Sequence, residues 1–362
     1  MKIPADHACV MAAAAGDLDE LCRQIRLDAS INTQDARGDT PLHAATRKNQ
    51  LHIISFLLAN HAQLLPNGDG YNALQEAAEH ASLEAFEIIA KHIGLIPEFY
   101  TQKGLSLLQL AISNPEPAIF RKLLHLPNQQ KLPALITAAS RGLPQHLLEI
   151  IQTGIPPDQA LPRSGNNALL AAAKGSYPHG QYLLCLQILL DHGAKPNHLD
   201  ASGYSPLLHA VKTQSADRVL LLLKYGAHPQ PEPSSPTGET PLNQALRPSI
   251  ISALIKAGAD PNQTSPKLNG ISPLIHACSQ IHTGIALNAA TQLLKLGANP
   301  NLATRGSGIT PLHAAAEKGH AALVSTLIDA GANPRTKNAE GKSPGQLAHN
   351  SLVKMQLPLQ SK

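Results

Sequence analysis

The chain has 362 residues, enough for two or three globular domains or for one long repeat array. Charged residues make up 15% of it and aromatic residues 3%, with no Trp, so a core built around aromatic side chains is not expected. The formal net charge of +4 is small, and no Lys/Arg run is present to follow phosphates, which argues against a nucleic-acid-binding protein.

The N-terminal apolar run (ACVMAAAAG, residues 8–16) is predicted to be the first helix of an array and not a signal-peptide core. Pro4 and Asp6 interrupt the segment before it, and the run is short. No stretch of the chain reaches the ~20 apolar residues that a membrane-spanning helix needs, so no membrane span is expected.

Two phrases recur along the chain. The first, Gly-x-Thr/Ser-Pro, starts at Gly38, Gly203, Gly238, Gly270, Gly308 and Gly341. Its fullest forms continue as Thr-Pro-Leu-His-Ala-Ala, at residues 40–45 and 310–315. The second phrase, Gly-Ala-x-Pro, starts at Gly193, Gly226, Gly258, Gly297 and Gly331, with separations of 33, 32, 39 and 34 residues.

This period and this phrase resemble the ankyrin-repeat family. The resemblance implies an all-α solenoid, an ankyrin-repeat array of helix-turn-helix units with short β-hairpin loops. Physical chemistry agrees, since Thr40 can cap an inner helix, and Pro41 at its first position needs no hydrogen-bond acceptor. Residues 51–58 predict an outer helix that is apolar on more than one side, and Gly331 and its equivalents should end outer helices in the left-handed conformation.

Weaker copies of the repeat bring the expected total to about eleven units, two of them caps. The expected division is an N-terminal cap repeat at 1–35, repeats at 36–100, degenerate repeats at 101–165, repeats at 166–334, and a C-terminal cap and tail at 335–362.

Three departures from the repeat are also predicted. Residues 175–184 and 279–288 should lengthen the link between inner and outer helices by about five and about four residues. The repeat at Leu242 should be about three residues short at the same place. Residues 96–165 have lost much of the consensus, so this stretch could be a bend, a loosened segment or a partner-specific surface.

No catalytic, cofactor or metal site is predicted. His43 and His313 should bond turn backbone, as the resemblance implies, while His209 and His276 should be partly buried helix residues. The His and Cys positions lack zinc-ligand spacing. Cys185 and Cys278 lie in apolar helical patterns typical of inert core thiols. A hidden enzyme in residues 96–165 remains an alternative, although that segment lacks paired carboxylates or a Cys–His couple.

The resemblance implies that partners contact hairpin positions and the inner-helix positions that follow the Ala pair. The hairpin positions are Arg37, Asp39, Asp69, Tyr71, Tyr204, Glu239 and Arg305. The inner-helix positions are Arg47, Lys48, Glu79, His80, Arg141, Lys174, Lys212, Thr213, Glu317 and Lys318. Six inner positions are basic and two acidic, which favours an acidic protein surface or peptide as the partner, with ordinary solvated charges as the alternative.

The sequence therefore predicts a non-catalytic, monomeric, cytoplasmic scaffold or adaptor that binds a partner protein through its concave hairpin and inner-helix face. An alternative is a secreted bacterial ankyrin effector that binds a host protein after translocation into the host cytosol.

Overall fold

A computed structural model describes residues 5–27, 29–94, 100–126, 130–176, 179–230, 238–265, 267 and 269–357. The chain divides into two compact units, Met1–Thr137 with Gln152–Ile155, and Ala138–Ile151 with Pro156–Lys362. The described residues contain 22 α-helices that follow one another as eleven pairs, in agreement with the predicted solenoid of helix-turn-helix units.

The first unit holds four helix pairs, and the next helix spans the boundary between the units. These helices are α1 (Ala5–Ala15), α2 (Leu18–Arg26), α3 (Pro41–Arg47), α4 (Leu51–Ala59), α5 (Ala73–His80), α6 (Leu83–Ile93), α7 (Leu107–Ala111), α8 (Pro117–Leu124) and α9 (Lys131–Arg141). Inner helices pack on inner helices (α1 on α3, α3 on α5, α5 on α7), while the outer helices α4, α6 and α8 form a second layer.

The second unit continues the same alternation. Its helices are α10 (Pro144–Ile151), α11 (Ala168–Lys174), α12 (Tyr182–Asp191), α13 (Pro206–Lys212), α14 (Ala216–Lys224), α15 (Pro241–Gln244), α16 (Pro248–Lys256), α17 (Pro273–Cys278), α18 (Thr283–Lys295), α19 (Pro311–Lys318), α20 (Ala321–Asp329), α21 (Pro344–Leu347) and α22 (Ser351–Gln356). The odd-numbered helices from α11 to α21 form the inner layer, and the even-numbered helices from α10 to α22 form the outer layer.

The inner helices begin as the sequence predicts. The side chain of Thr40 accepts the backbone amide of His43, and Nδ1 of His43 accepts the backbone amide of Thr40. These two bonds form a capping box. Thr310 and His313 repeat this arrangement. Gln takes the place of His three residues after the caps of α5, α7 and α21. The same local solution therefore starts helices throughout the array.

Small and branched apolar side chains supply the core. Ala45 is fully buried on an inner helix, which permits the close approach of neighbouring repeats. Ile53, Ile54 and Leu57 are fully buried on the outer helix α4, as expected for a helix covered on several sides. The predicted left-handed glycines are also present, with φ between 82° and 102° from Gly193 to Gly331.

An asparagine ladder joins successive outer turns of the second unit. The carboxamide of Asn197 donates to the carbonyl of Gly226 and accepts the amide of His228. Asn262 and Asn301 make the equivalent pairs of bonds two and three repeats after Asn197. Gln230 occupies one rung and donates to the carbonyl of Gly258.

The three predicted departures from the repeat differ in how the structure accommodates them. After α11, the link runs to Gln181 before α12 begins, so the predicted lengthening is confirmed. At residues 279–288 the prediction is wrong in extent, because the link has four residues against two before α20, and from Thr283 the chain is already helical in the 13-residue α18. Those extra residues add about a turn of helix, which satisfies their backbone groups internally. The short repeat shortens its inner helix, since α15 has four residues.

The hairpin loops between repeats carry little strand structure. Among the described residues, isolated antiparallel bridges join Tyr100 to Ser106, Ala160 to Asn167 and Ser265 to Ile271. The boundary between the two units falls inside residues 101–165, the segment with the weakest consensus, and α7 to α10 lie in that segment as two helix pairs.

Candidate protein-interaction surface

The predicted contact residues of the first unit centre on a buried charge network. Arg47, at the end of α3, donates to Asp39 at 2.7 Å and to Glu76 at 2.6 Å. Asn67 also donates to Asp39, at 2.9 Å. Burial alone would raise the pKa of Asp39, but the bonds from Arg47 and Asn67 outweigh it and lower that pKa. Asp39 is therefore a buried acceptor between repeats, and Arg47 lies between it and the solvent.

The hairpin of the third repeat is held by hydrogen bonds as well. His43 donates from Nε2 to the carbonyl of Tyr71 at 2.8 Å, across the repeat boundary. Tyr71 is half-buried, and burial together with the nearby Glu79 carboxylate raises the pKa of its hydroxyl. Glu79 also lies 3.7 Å from the imidazole of His80. His43 thus holds the backbone of this hairpin, and Glu79 hydrogen-bonds the Tyr71 side chain.

The other predicted positions of the first unit are open to solvent. Arg37 and Asp69 are exposed on hairpins, and Lys48 is exposed directly after α3. They supply charge of both signs beside the Arg47 network.

In the second unit, Asp200 organises the predicted contacts on one side of Tyr204. Lys174 donates to Asp200 at 3.0 Å, and His209 donates to the same oxygen at 2.9 Å. Burial alone would raise the pKa of Asp200, but bonds from the Tyr204 amide, His209 and Lys174 lower it to about 2. Asp200 is thus an ionised acceptor beneath Lys174.

Lys212 holds the other side of Tyr204. Its ammonium lies 4.1 Å from the centre of the Tyr204 ring and 2.6 Å from the Glu239 carboxylate. The ring of His209 meets Tyr204 edge to face at 5.4 Å. Tyr204 is half-buried and contacted by an imidazole and an ammonium, so its conformation is set before any partner arrives.

The remaining predicted residues lie in several repeats of the second unit. Arg141 is half-buried at the end of α9, and Thr213 donates its hydroxyl to the carbonyl of Ala210. Arg305, Glu317 and Lys318 are exposed. The structure brings Lys174, Tyr204, Lys212 and Glu239 together through Asp200 and His209, whereas Arg305, Glu317 and Lys318 belong to later repeats.

The ion pairs of the Arg47, Lys174 and Lys212 networks share one pattern of exposure. Arg47 has a side chain 36% exposed above carboxylates that are 6% and 7% exposed. Lys174 is 40% exposed above an 8% exposed Asp200, and Lys212 is 32% exposed beside a 21% exposed Glu239. Each cation lies at the surface and each anion lies deeper. The solvent therefore meets cations at these positions, although each lysine faces one carboxylate and Arg47 faces two, which cancels the positive field at longer range.

Glu76, Asp200 and His209 complete these networks and were not among the predicted contact positions. One signal for Asp200 was available, because it stands three residues before the hairpin Gly203 and accepts the amides of the turn. Asn67 stands in the same place before Gly70. The repetition of this position indicates a turn residue whose second polar atom, Nδ2 of Asn67 or Oδ2 of Asp200, bonds a neighbouring repeat.

The titratable groups outside the networks suit a structural role. The imidazoles of His43 and His313 bond turn carbonyls, as predicted, and His276 is half-buried on α17. Burial raises the pKa of the Cys185 thiol to about 12, and Cys278 is fully buried with a raised pKa, so both are core thiols as predicted. Among the described residues, no group of three or more His, Cys, Asp or Glu is placed to hold a metal ion.

A groove of about 530 Å³ opens between α10 and α12. Its lining residues are Leu143, Pro144, Gln145, His146, Leu148, Gln181, Leu184 and Ile188. None of these is a carboxylate, a thiol or a permanent cation, so they offer no pair for acid–base work. None of the helices within the described ranges combines the length and the apolar character that crossing a membrane requires.

Comparison with known proteins gives a consistent family assignment. The family model described as ankyrin repeats (3 copies) matches residues 9–102, 179–265 and 247–338, which together exceed half of the chain. Among solved structures, the human ASB11 ankyrin repeat domain is similar over 63% of this chain and 99% of that chain, with 27% identity and a TM-score of 0.53.

Curated relatives share the repeats as part of larger proteins. The E3 ubiquitin-protein ligase KEG of Arabidopsis thaliana is 29% identical over 60% of this chain and 14% of its own length. The B-cell lymphoma 3 protein homolog of Mus musculus is 31% identical over 62% of this chain and 42% of its own. The Ankyrin repeat and SOCS box protein 16 of Mus musculus is 29% identical over 64% and 54%. The chain thus spans little more than half of these relatives at most.

Proposed function

The chain belongs to the ankyrin-repeat family, and from this premise we propose that it is a non-catalytic scaffold that binds a partner protein through its hairpins and inner-helix ends. The observation that supports this most is the fixed surface around Tyr204. A half-buried aromatic ring held by Lys212 and His209 loses little conformational entropy on binding. The four cysteines, all within the described ranges, form no disulfide, which fits our further proposal that the chain acts in the cytoplasm. We also propose that it acts as a monomer.

The partner we propose presents an acidic surface or segment. The exposed layer of the ion pairs is cationic at Arg47, Lys174 and Lys212, and a lysine ammonium has three donors, of which one carboxylate uses only part. Lys48 and Lys318 add exposed positive charge outside these pairs. The buried acids weaken the field at a distance, so the preference should depend on close contact and on ionic strength.

The first test is a comparative pull-down with purified chain. The double variant Lys174→Gln and Lys212→Gln removes two surface cations while their acids stay in place. Lys224→Gln and Lys256→Gln, on the ends of outer helices, form the matched control. Thermal melting of both variants checks that they fold.

We expect a set of proteins that the wild type and the control retain and that the inner-face variant loses. Their retention should fall as salt is raised from about 0.05 M to about 0.5 M. Recovery of the same proteins by both double variants would contradict the surface we propose. Loss that is independent of salt would contradict the acidic partner but not the scaffold.

A further inference from the structure

The sequence contains two Asn-Gly pairs, Asn67-Gly68 and Asn269-Gly270, and both lie in hairpins between repeats. The pair has a known chemical weakness, because glycine has no Cβ to hinder attack of its own backbone nitrogen on the preceding carboxamide. The two pairs occupy different surroundings, so the structure itself supplies a comparison.

Asn67 is held on both sides of its carboxamide. Its nitrogen donates to Asp39 at 2.9 Å, and its oxygen accepts the amides of Asp69 and Tyr71 at 3.1 and 3.0 Å. The side chain is buried. Rotation of this carboxamide towards the nitrogen of Gly68 would break all of these bonds.

Asn269 has the opposite surroundings. It is exposed, and its carboxamide makes no hydrogen bond with the part of the chain that the structure describes. Its φ of 53° places it in the left-handed region at the tip of the turn. The amide of Gly270 donates to the carbonyl of Ser265 at 2.9 Å, and this bond has to open before the nitrogen can react.

We propose that Asn269 is a site of spontaneous deamidation. The nitrogen of Gly270 gives up its proton to a base and attacks Cγ of Asn269, forming a new N–C bond. The bond from Cγ to Nδ2 breaks, and ammonia leaves with a proton. Water then opens the five-membered imide at either carbonyl, giving aspartate or isoaspartate at position 269. The step needs only water and involves no oxidation.

The product changes the junction between two hairpins. The carbonyl of Asn269 accepts the amide of Arg305 at 2.7 Å, which links one hairpin to the next. Either product adds a negative charge beside Arg305. Isoaspartate also adds a backbone carbon between residues 269 and 270, which displaces the carbonyl from the Arg305 amide. Arg305 is one of the predicted contact positions, but the deamidation itself requires no partner.

The test uses the full chain, aged for days in mildly alkaline buffer at physiological temperature. Tryptic peptides are then followed by mass spectrometry, and isoaspartate is detected by enzymatic methylation. We expect deamidation at Asn269 roughly tenfold faster than at Asn67, because the fold protects Asn67. In denaturant, the two sites should react at similar rates.

Two outcomes would overturn the proposal. One is equal reaction of the two sites in the folded chain. The other is an intact Asn269 in the folded chain under conditions where the denatured chain reacts there. The variant Asn269→Ser should remove the modified peptide and leave Asn67 unchanged, while Asn269→Asp should reproduce the charge change without isoaspartate.

Discussion

Single side chains in this array often serve two repeats at once. His313 accepts the amide of Thr310 at Nδ1 and donates from Nε2 to the carbonyl of Lys342, in the next hairpin. This arrangement needs a neutral imidazole with its proton on Nε2, because a protonated Nδ1 cannot accept. One side chain therefore caps a helix and joins two repeats, provided that it stays uncharged.

The first prediction concerns His313 and pH. Burial lowers the pKa of His313 in the folded chain, so between that value and about 6.5 the unfolded chain binds more protons than the folded one. Stability should therefore fall as the pH drops below about 6.5. His313→Gln can retain the cap, as Gln75 does, and urea unfolding should show a weaker loss at acid pH. His349→Gln, at an exposed position, should leave the wild-type pH dependence unchanged.

The second prediction concerns Arg47. Arg47→Met would leave Asp39 and Glu76 buried without their shared cation. We expect a loss of ~2 kcal/mol in the free energy of unfolding, less than for a fully buried pair because Arg47 is partly exposed. Lys48→Met, one residue further on, is the matched control and should change the urea midpoint little. Equal effects of the two substitutions would show that the network adds no stability.

At the scale of elements, the chain accommodates insertions in two ways. The extra residues before Lys295 lengthen α18, whereas those after α11 separate α11 from α12, with side chains bonded at both ends of the link. At the start of α12, the Tyr182 hydroxyl donates to the carbonyl of Ser140 at 3.2 Å, and Arg218 stacks 4.6 Å from the Tyr182 ring. Arg218 also donates to the carbonyl of Gly175 at 2.7 Å.

The third prediction contrasts the two glycines of these insertions. A Cβ on Gly175 would lie 1.9 Å from the Tyr182 ring, so Gly175→Ala should displace the ring and cost about 1–3 kcal/mol. Gly284, in α18, has open space around the same position. Gly284→Ala should therefore stabilise the chain by up to about 1 kcal/mol through helix propensity. Thermal unfolding of the two variants should shift in opposite directions, and shifts of the same sign would contradict this account of the link.

At the scale of the whole molecule, the fold was predictable from sequence because each repeat carries its own short signals. The Thr-Pro caps and the Gly-Ala-x-Pro turns mark helix starts and ends without reference to distant residues. The networks were not predictable to the same degree. Arg47 meets Glu76, and Lys174 meets Asp200, only because stacking places residues of adjacent repeats side by side. The extension of α18 was missed because Thr283 and Gly284 are weak helix formers, and their helical state depends on the helix that follows.

The fourth prediction concerns the rung of the asparagine ladder formed by Gln230. Its Oε1 is buried without a hydrogen-bond partner among the described residues, whereas the oxygens of Asn197 and Asn262 each accept a backbone amide. Gln230→Asn should allow the missing bond and stabilise the chain by about 1 kcal/mol in urea unfolding. The reverse change, Asn262→Gln, should destabilise it by a similar amount. An unchanged midpoint in both variants would show that the ladder adds nothing to stability.

The incomplete rung also has a dynamic consequence. Each repeat of a solenoid is stabilised by contacts with its two neighbours. Thermal fluctuations therefore separate adjacent repeats first at the boundary with the weakest contacts. Amide protons of the turn after Gly258 should therefore exchange with deuterium sooner than those after Gly297 or Gly331, where both bonds of the rung are made. The one extra methylene of Gln230, compared with Asn, thus sets where local opening of the second unit begins.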